Sequence, residues 1–108
     1  MPSLREKRRY LVFEVVSKGK VGFGELSKAV AGSVSGFLGD AGSAKANIML
    51  LPDKWDEEKQ VGIMRVNRKC VDDLRAALCM VTRIKDMKVV LRTVGISGIL
   101  KKAGRFIV

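Results

Sequence analysis

Arg65, Arg68 and Lys69 lie within five residues of one another, and Arg5, Lys7, Arg8 and Arg9 within another five. Clusters of cationic side chains suit one chemistry above others, the neutralisation of phosphates along a nucleic-acid backbone. The bland alternative for residues 5–9 is a solvated, frayed terminus. For residues 65–69 it is an ordinary charged surface paired with Asp72 and Asp73. A third candidate follows Arg92, where Thr93-Val94-Gly95-Ile96-Ser97-Gly98 runs ahead of Lys101 and Lys102. Amides beside glycines let an anion approach, which makes Gly95, Ser97 and Gly98 candidates for a phosphate cradle. The segment lacks the Gly-Lys-Ser/Thr ending of a nucleotide-hydrolysing loop, and its local pattern favours a strand exit followed by a helix cap. Catalytic chemistry has few candidates: the chain has no histidine, two cysteines and no carboxylates spaced for acid–base work. The same shortage leaves too few ligands for zinc.

Positioning these cations falls to elements that apolar spacing defines. Residues 9–16 alternate as a strand, with Leu11, Phe13 and Val15 on one face and Tyr10, Val12 and Glu14 on the other. Phe23, Leu26, Val30, Val34 and Phe37 recur at helical spacing, weakened by Gly32 and Gly36, whose retention would be explained by close packing against another backbone. Gly39 to Gly42 ends that helix. Residues 44–51 and 60–67 read as strands joined by an acidic loop holding Trp55, either a partner anchor or a partly packed hairpin residue. Asn67 is a candidate cap for a helix with Val71, Leu74, Leu78 and Val81 as its buried stripe. Arg83 and Lys85 fall at that helix's end, where its dipole favours cations. A last strand, 87–94, turns Met87, Val89 and Leu91 inward and Lys88, Val90 and Arg92 outward. Gly95 to Gly98 then turns into a short C-terminal helix that Ser97 caps.

The order strand, helix, strand, strand, helix, strand predicts an α+β, ferredoxin-like sandwich: a four-stranded antiparallel sheet with two main helices on one face. The other face would carry Tyr10, Val12, Ile63, Arg65, Val90 and Arg92. That mixture is too apolar for plain solvent, so either the C-terminal helix or a protein partner covers it. Tyr10, Val12, Ile63 and Val90 are the partner-facing candidates.

The chain has 108 residues, enough for a single domain over 1–108, with residues 1–8 as a basic N-terminal arm. Twenty-one Lys and Arg against 11 Asp and Glu give a net charge of +10, which concerns partners rather than fold. Nucleic acid is the leading partner and an anionic membrane the second. A hydrophobic content of 47% argues against disorder, and no apolar run approaches the roughly 18 residues of a membrane span. The basic-then-apolar start mimics a signal peptide, but Glu14 interrupts it and no small-residue cleavage site follows. Cys70 and Cys79 fall on opposite sides of one predicted helix, so reduced, intracellular thiols are the simplest reading.

Three classes of function compete. Tyr10 on an open sheet face invites comparison with RNA recognition motifs, but the strand at 61–67 has no aromatic to complete a stacking platform. Val21-Gly22-Phe23 after the first strand resembles acylphosphatases, which share the expected fold, yet Gly24 stands where their phosphate-binding arginine belongs. A small assembly module without nucleic acid is the third class, and the clustered charge argues against it.

Residues 4–16 (LREKRRYLVFEVV), 63–84 (IMRVNRKCVDDLRAALCMVTRI) and 89–103 (VVLRTVGISGILKKA) resemble the small, precursor-processing type of ribonuclease P protein found in archaea and eukaryotes. The resemblance implies a non-catalytic subunit of an RNA-based endonuclease that removes the 5′ leader from precursor transfer RNA. It implies no cofactor bound by the protein, with magnesium required by the catalytic RNA. Its implied partners are that RNA, a TIM-barrel subunit of the same enzyme, a second copy of the chain, and precursor transfer RNA as substrate of the complex, with no membrane. The implied location is cytoplasmic, or nuclear or nucleolar in a eukaryote. The family's basic segment carries over to Arg5, Lys7, Arg8 and Arg9, its arginine-valine-asparagine-arginine segment to Arg65 through Arg68, and its glycine loop to Leu91 through Gly98. Ile99 stands where the family pattern has threonine.

Overall fold

The computed structural model describes residues 7–104. Strand β1 (Arg8–Ser17) is followed by helix α1 (Phe23–Ala46), strands β2 (Met49–Leu50) and β3 (Val61–Asn67), helix α2 (Val71–Cys79), strands β4 (Arg83–Ile84) and β5 (Met87–Ser97), and the four-residue helix α3 (Leu100–Ala103). The strands form one sheet in the order β2-β3-β1-β5-β4, and every pairing is antiparallel. The fold is therefore α+β with five strands, one more than the apolar spacing predicts.

Strand β1 is the centre. It pairs with β3 from Arg8↔Asn67 to Glu14↔Val61, and with β5 from Tyr10↔Ser97 to Ser17↔Val89. Leu11, Val12 and Phe13 are fully buried in succession, which requires cover on both faces of the sheet. On one face Leu11, Phe13, Val15, Met64, Val66, Val89 and Leu91 pack against Leu26, Val30 and Val34 of α1 and Leu74, Ala77 and Leu78 of α2. Each of these side chains except that of Ala77 contributes roughly 1.5–3 kcal/mol by leaving water. On the other face Val12, Val61 and Ile63 meet Ala103 of α3, flanked by Tyr10, Leu51, Val94 and Leu100. The C-terminal helix thus covers this face at its centre. Val12 and Ile63, expected to face a protein partner, are at 0% exposure beneath it, and Tyr10 is half-buried. Of the four partner-facing candidates Val90 alone is exposed, at 60%.

Other departures have local causes. Gly39 sits at φ 72° and ψ 179°, which breaks the helical ladder, but the chain resumes helix and closes only at Asn47, itself left-handed at φ 49°. Residues 40–46 hold no β-branched side chain to favour the expected strand, so β2 is two residues long. Helix α2 stops at Cys79, and Arg83 and Lys85 do not decorate its end. They form a hairpin instead, in which Lys85 and Asp86 both take positive φ (52° and 61°) between β4 and β5; this is the backbone of a primed hairpin turn. Phe37 is 45% exposed and outside the core. Gly32 and Gly36 have open space where a Cβ would be, so close backbone packing does not explain them.

Two polar contacts pin the connections. Gln60 is buried, and its amide both accepts from Val21 N–H (2.8 Å) and donates to the Val21 carbonyl (3.1 Å) and to Glu57 O (2.7 Å). Glu25, in the first turn of α1, meets Lys85 Nζ at 2.7 Å and accepts from Gly22 N–H at 3.3 Å. Lys85 first, then the Gly22 amide, hold its carboxyl below the usual carboxylate value.

Gly62 shows how closely the acidic loop is seated. It lies opposite Phe13, whose ring stacks on Trp55 with centroids 6.0 Å apart. A Cβ on Gly62 would stand 2.8 Å from Trp55 Cε3 and 2.9 Å from Phe13 Cζ. Trp55 is therefore a packed hairpin residue. Gly62→Ala is expected to destabilise the fold by about 1–3 kcal/mol through overpacking, whereas Gly36→Ala should stabilise it by up to about 1 kcal/mol. Denaturant midpoints check the pair, and a Gly62→Ala protein as stable as the parent would contradict this packing.

Candidate nucleic-acid interface

Three segments far apart in sequence end at the same edge of the molecule. The register places Arg8 opposite Asn67, and Tyr10 between Arg65 on one side and Ser97 on the other. The start of β1, the end of β3 and the end of β5 therefore meet at one end of the sheet. The ladder runs on past the strands, because Arg68 N–H donates to the Lys7 carbonyl at 2.8 Å. Lys7 and Arg8, the last two residues of the basic arm, are thus tied to β3. Arg5 lies outside the described residues.

Asn67 organises the junction. Its Oδ1 accepts from Lys69 N–H at 3.1 Å, capping a 3-10 turn over Arg68–Cys70 that precedes α2. Its Nδ2 donates to the Lys45 carbonyl at 3.3 Å, joining the last turn of α1 to the same end. Lys45 is exposed there and was not among the sequence candidates; residues 44–51 read as a strand, which hid its place in a helix's last turn, where cations favour the dipole. Lys7, Arg8, Arg68 and Lys69 are exposed, Arg9 and Arg65 half-buried. The ion pairs among the described residues are Lys20–Glu58, Lys85–Glu25 and Arg92–Glu14, so none of these cations is matched to Asp72 or Asp73.

The cations ring the end of the sheet rather than covering one face. Arg65 shares the α3 side with Ile63, its Nη2 against Met49 Sδ at 3.4 Å. Arg9 shares the α1 and α2 side with Leu11, and its Nη1 donates to the Arg8 carbonyl at 3.1 Å. Lys101 and Lys102 are exposed on α3, just past Gly98.

Two expectations change. Arg92 does not join the cluster: it stands opposite Glu14, four residues along β1 from Tyr10 and so roughly 13 Å away, and forms an ion pair with that carboxylate. Gly95 and Ser97 are not in a loop. They pair with Val12 and Tyr10 inside β5, which continues through an irregularity between Val12 and Phe13 that accommodates Val94. Their amides belong to a sheet rather than to an anion cradle. Ser97 does turn the chain, since its Oγ accepts from Ile99 N–H and donates to Ile99 O, each at 3.1 Å, but the N-cap of α3 is Ile99. The segment likened to acylphosphatases offers no cradle either, because Val21 N–H is taken by Gln60 and Gly22 N–H by Glu25.

An α+β domain that gathers at one sheet end cations with no ion-pair partner among the described residues has the build of an RNA-binding subunit. The chain belongs to the Rpp14/Pop5 family, whose model matches residues 9–108. It is 43% identical over 104 residues to ribonuclease P protein component 2 of Thermococcus kodakarensis, covering 96% of this chain and 85% of that one. The protein of the same name from Methanosarcina acetivorans is 38% identical over 103 residues, covering 95% of this chain and 75% of that one. A chain in the cryo-EM structure of yeast ribonuclease MRP shares the fold, with a TM-score of 0.69 at 10% identity over 99% of this chain and 89% of that one.

The separation of Arg92 from the cluster is testable. Arg8→Ala and Arg68→Ala should each weaken RNA binding and lower the log–log salt slope by about 0.7–0.9 per lost phosphate contact. Arg92→Ala should leave the slope unchanged. Salt titrations at constant magnesium distinguish these outcomes, and an Arg92→Ala slope change equal to the other two would overturn the assignment.

Proposed function

We propose that this chain is a protein subunit of ribonuclease P that binds the enzyme's RNA through the cationic end of its sheet. The observation that carries the reading is the convergence of Lys7–Arg9, Arg65–Lys69 and the α1 terminus at Lys45 on one end of one sheet, without matching carboxylates among the described residues. Fixed cations at a rigid edge hold an RNA segment by its phosphates and supply position rather than sequence preference. Near full-length similarity to ribonuclease P protein component 2 of archaea supports the same reading.

Several finer points belong to this proposal. The RNA carries the chemistry with magnesium, and precursor transfer RNA loses its 5′ leader. A TIM-barrel subunit is the protein partner, and the exposed Val90 with its cross-strand neighbour Val16 offers it apolar surface away from the cationic end. The cytoplasm, or the nucleus or nucleolus of a eukaryote, is the location. The architecture is ferredoxin-like, with β2-β3-β1-β5 as its sheet and β4 an added hairpin strand; the central place of β1 supports this.

Reconstitution tests the proposal. The purified protein alone should not process precursor transfer RNA. Added to ribonuclease P RNA and the barrel subunit, it should raise the rate of leader removal or lower the magnesium requirement. A combined Arg8→Ala, Arg68→Ala and Lys69→Ala variant should lose most of that gain. Cleavage by the RNA-free protein, or a fully active triple variant, would contradict the proposal.

A further inference from the structure

Gly98 lies just beyond β5, and its φ is outside the left-handed region, so its backbone does not require glycine. What it lacks is a side chain where Arg9 lies. A Cβ on Gly98 would stand 3.3 Å from Arg9 Nη1, 3.6 Å from Cζ and 3.9 Å from Nε, which places the guanidinium against the bare backbone. Arg9 is half-buried, whereas Lys7, Arg8, Arg68 and Lys69 are exposed. Its one hydrogen bond, to the Arg8 carbonyl, leaves four of five guanidinium donors without a protein acceptor among the described residues.

We propose that Gly98 is a positioning residue for Arg9. Its missing side chain makes room for the guanidinium at the sheet's end, in an orientation ready to fork onto one RNA phosphate. This role differs from an amide cradle, because the glycine acts through the space it leaves rather than through its N–H. A planar guanidinium already restrained in its bound orientation loses less freedom on binding than a solvated lysine would. The inference rests on the RNA-facing reading of this end of the sheet.

The test combines Arg9→Ala, Gly98→Ala, Gly98→Val and Arg9→Ala/Gly98→Val in the full chain, with RNA affinity and salt slope measured on a ribonuclease P RNA transcript and with melting temperature as a second readout. Arg9→Ala should weaken binding about tenfold, the worth of one charge-assisted contact. Gly98→Ala should give a smaller loss and Gly98→Val a loss approaching that of Arg9→Ala, both at a melting temperature close to the parent's. The double variant should be no worse than Arg9→Ala alone. If Gly98→Val keeps full affinity while Arg9→Ala loses it, Gly98 does not position Arg9. An additive double variant would assign Gly98 an independent role and overturn the proposal. If Arg9→Ala itself binds normally, the proposal falls; whether the wider RNA-facing reading falls with it is read from Arg8→Ala and Arg68→Ala in the same assay.

Discussion

Everything at the cationic end depends on β1 being hydrogen-bonded on both edges. A strand paired with β3 on one side and β5 on the other fixes three chain segments relative to one another. Register is then not free: a slip of one residue would exchange the faces, carrying Leu11 and Phe13 to the α3 side and Val12 to the α1 and α2 side, against different neighbours. The burial of Leu11, Val12 and Phe13 makes such a slip costly, so the core sets the positions of charges that are not themselves in the core. Asn67 extends this control to α1 and to the turn before α2 by bonding Lys45 O and Lys69 N–H.

Charge is distributed unevenly along that strand. Toward its C-terminal half Glu14 meets Arg92, and a cation so paired has little left to offer an incoming phosphate. Toward its N-terminal end Lys7, Arg8 and Arg9 have no carboxylate within ion-pair distance among the described residues. Repulsion among gathered cations is unfavourable in isolation and is relieved when a polyanion arrives and its counterions leave. A net charge of +10 alone would have suited any anionic surface; the gathering of Lys7, Arg8, Arg9, Lys45, Arg65, Arg68 and Lys69 at one sheet end is what points to a backbone of phosphates.

The strands read at 9–16, 60–67 and 87–94 were legible because their apolar alternation reports a core-facing side directly; the run of β5 on through Ser97 was not, because Gly95 and Gly98 read as a turn. Other parts were hidden for identifiable reasons. The turn at Lys85-Asp86 takes two positive φ angles without glycine or asparagine, so the β4 hairpin left no residue signal. Gly39 read as a helix end because glycine breaks ladders, yet here the helix resumes beyond it. Val12 and Ile63 read as partner-facing with the C-terminal helix as the alternative cover, and a four-residue helix leaves too little periodic pattern to decide between the two. The cationic residues were named from their types, but the split between Arg92 and the rest is a matter of register. The contact of Arg9 with Gly98 joins residues at opposite ends of the chain.

Lysine acetylation footprinting, with and without ribonuclease P RNA, addresses the central claim most directly because lysines lie on every side of the molecule. The account predicts protection of Lys7, Lys45 and Lys69 in the complex, with Lys20, Lys54, Lys59, Lys85 and Lys88 reactive as in the free protein; all eight are exposed in the fold. Protection centred on Lys85 and Lys88, or none at Lys7 and Lys69, would show that the RNA meets a different surface and that the cationic end of the sheet is not its binding site.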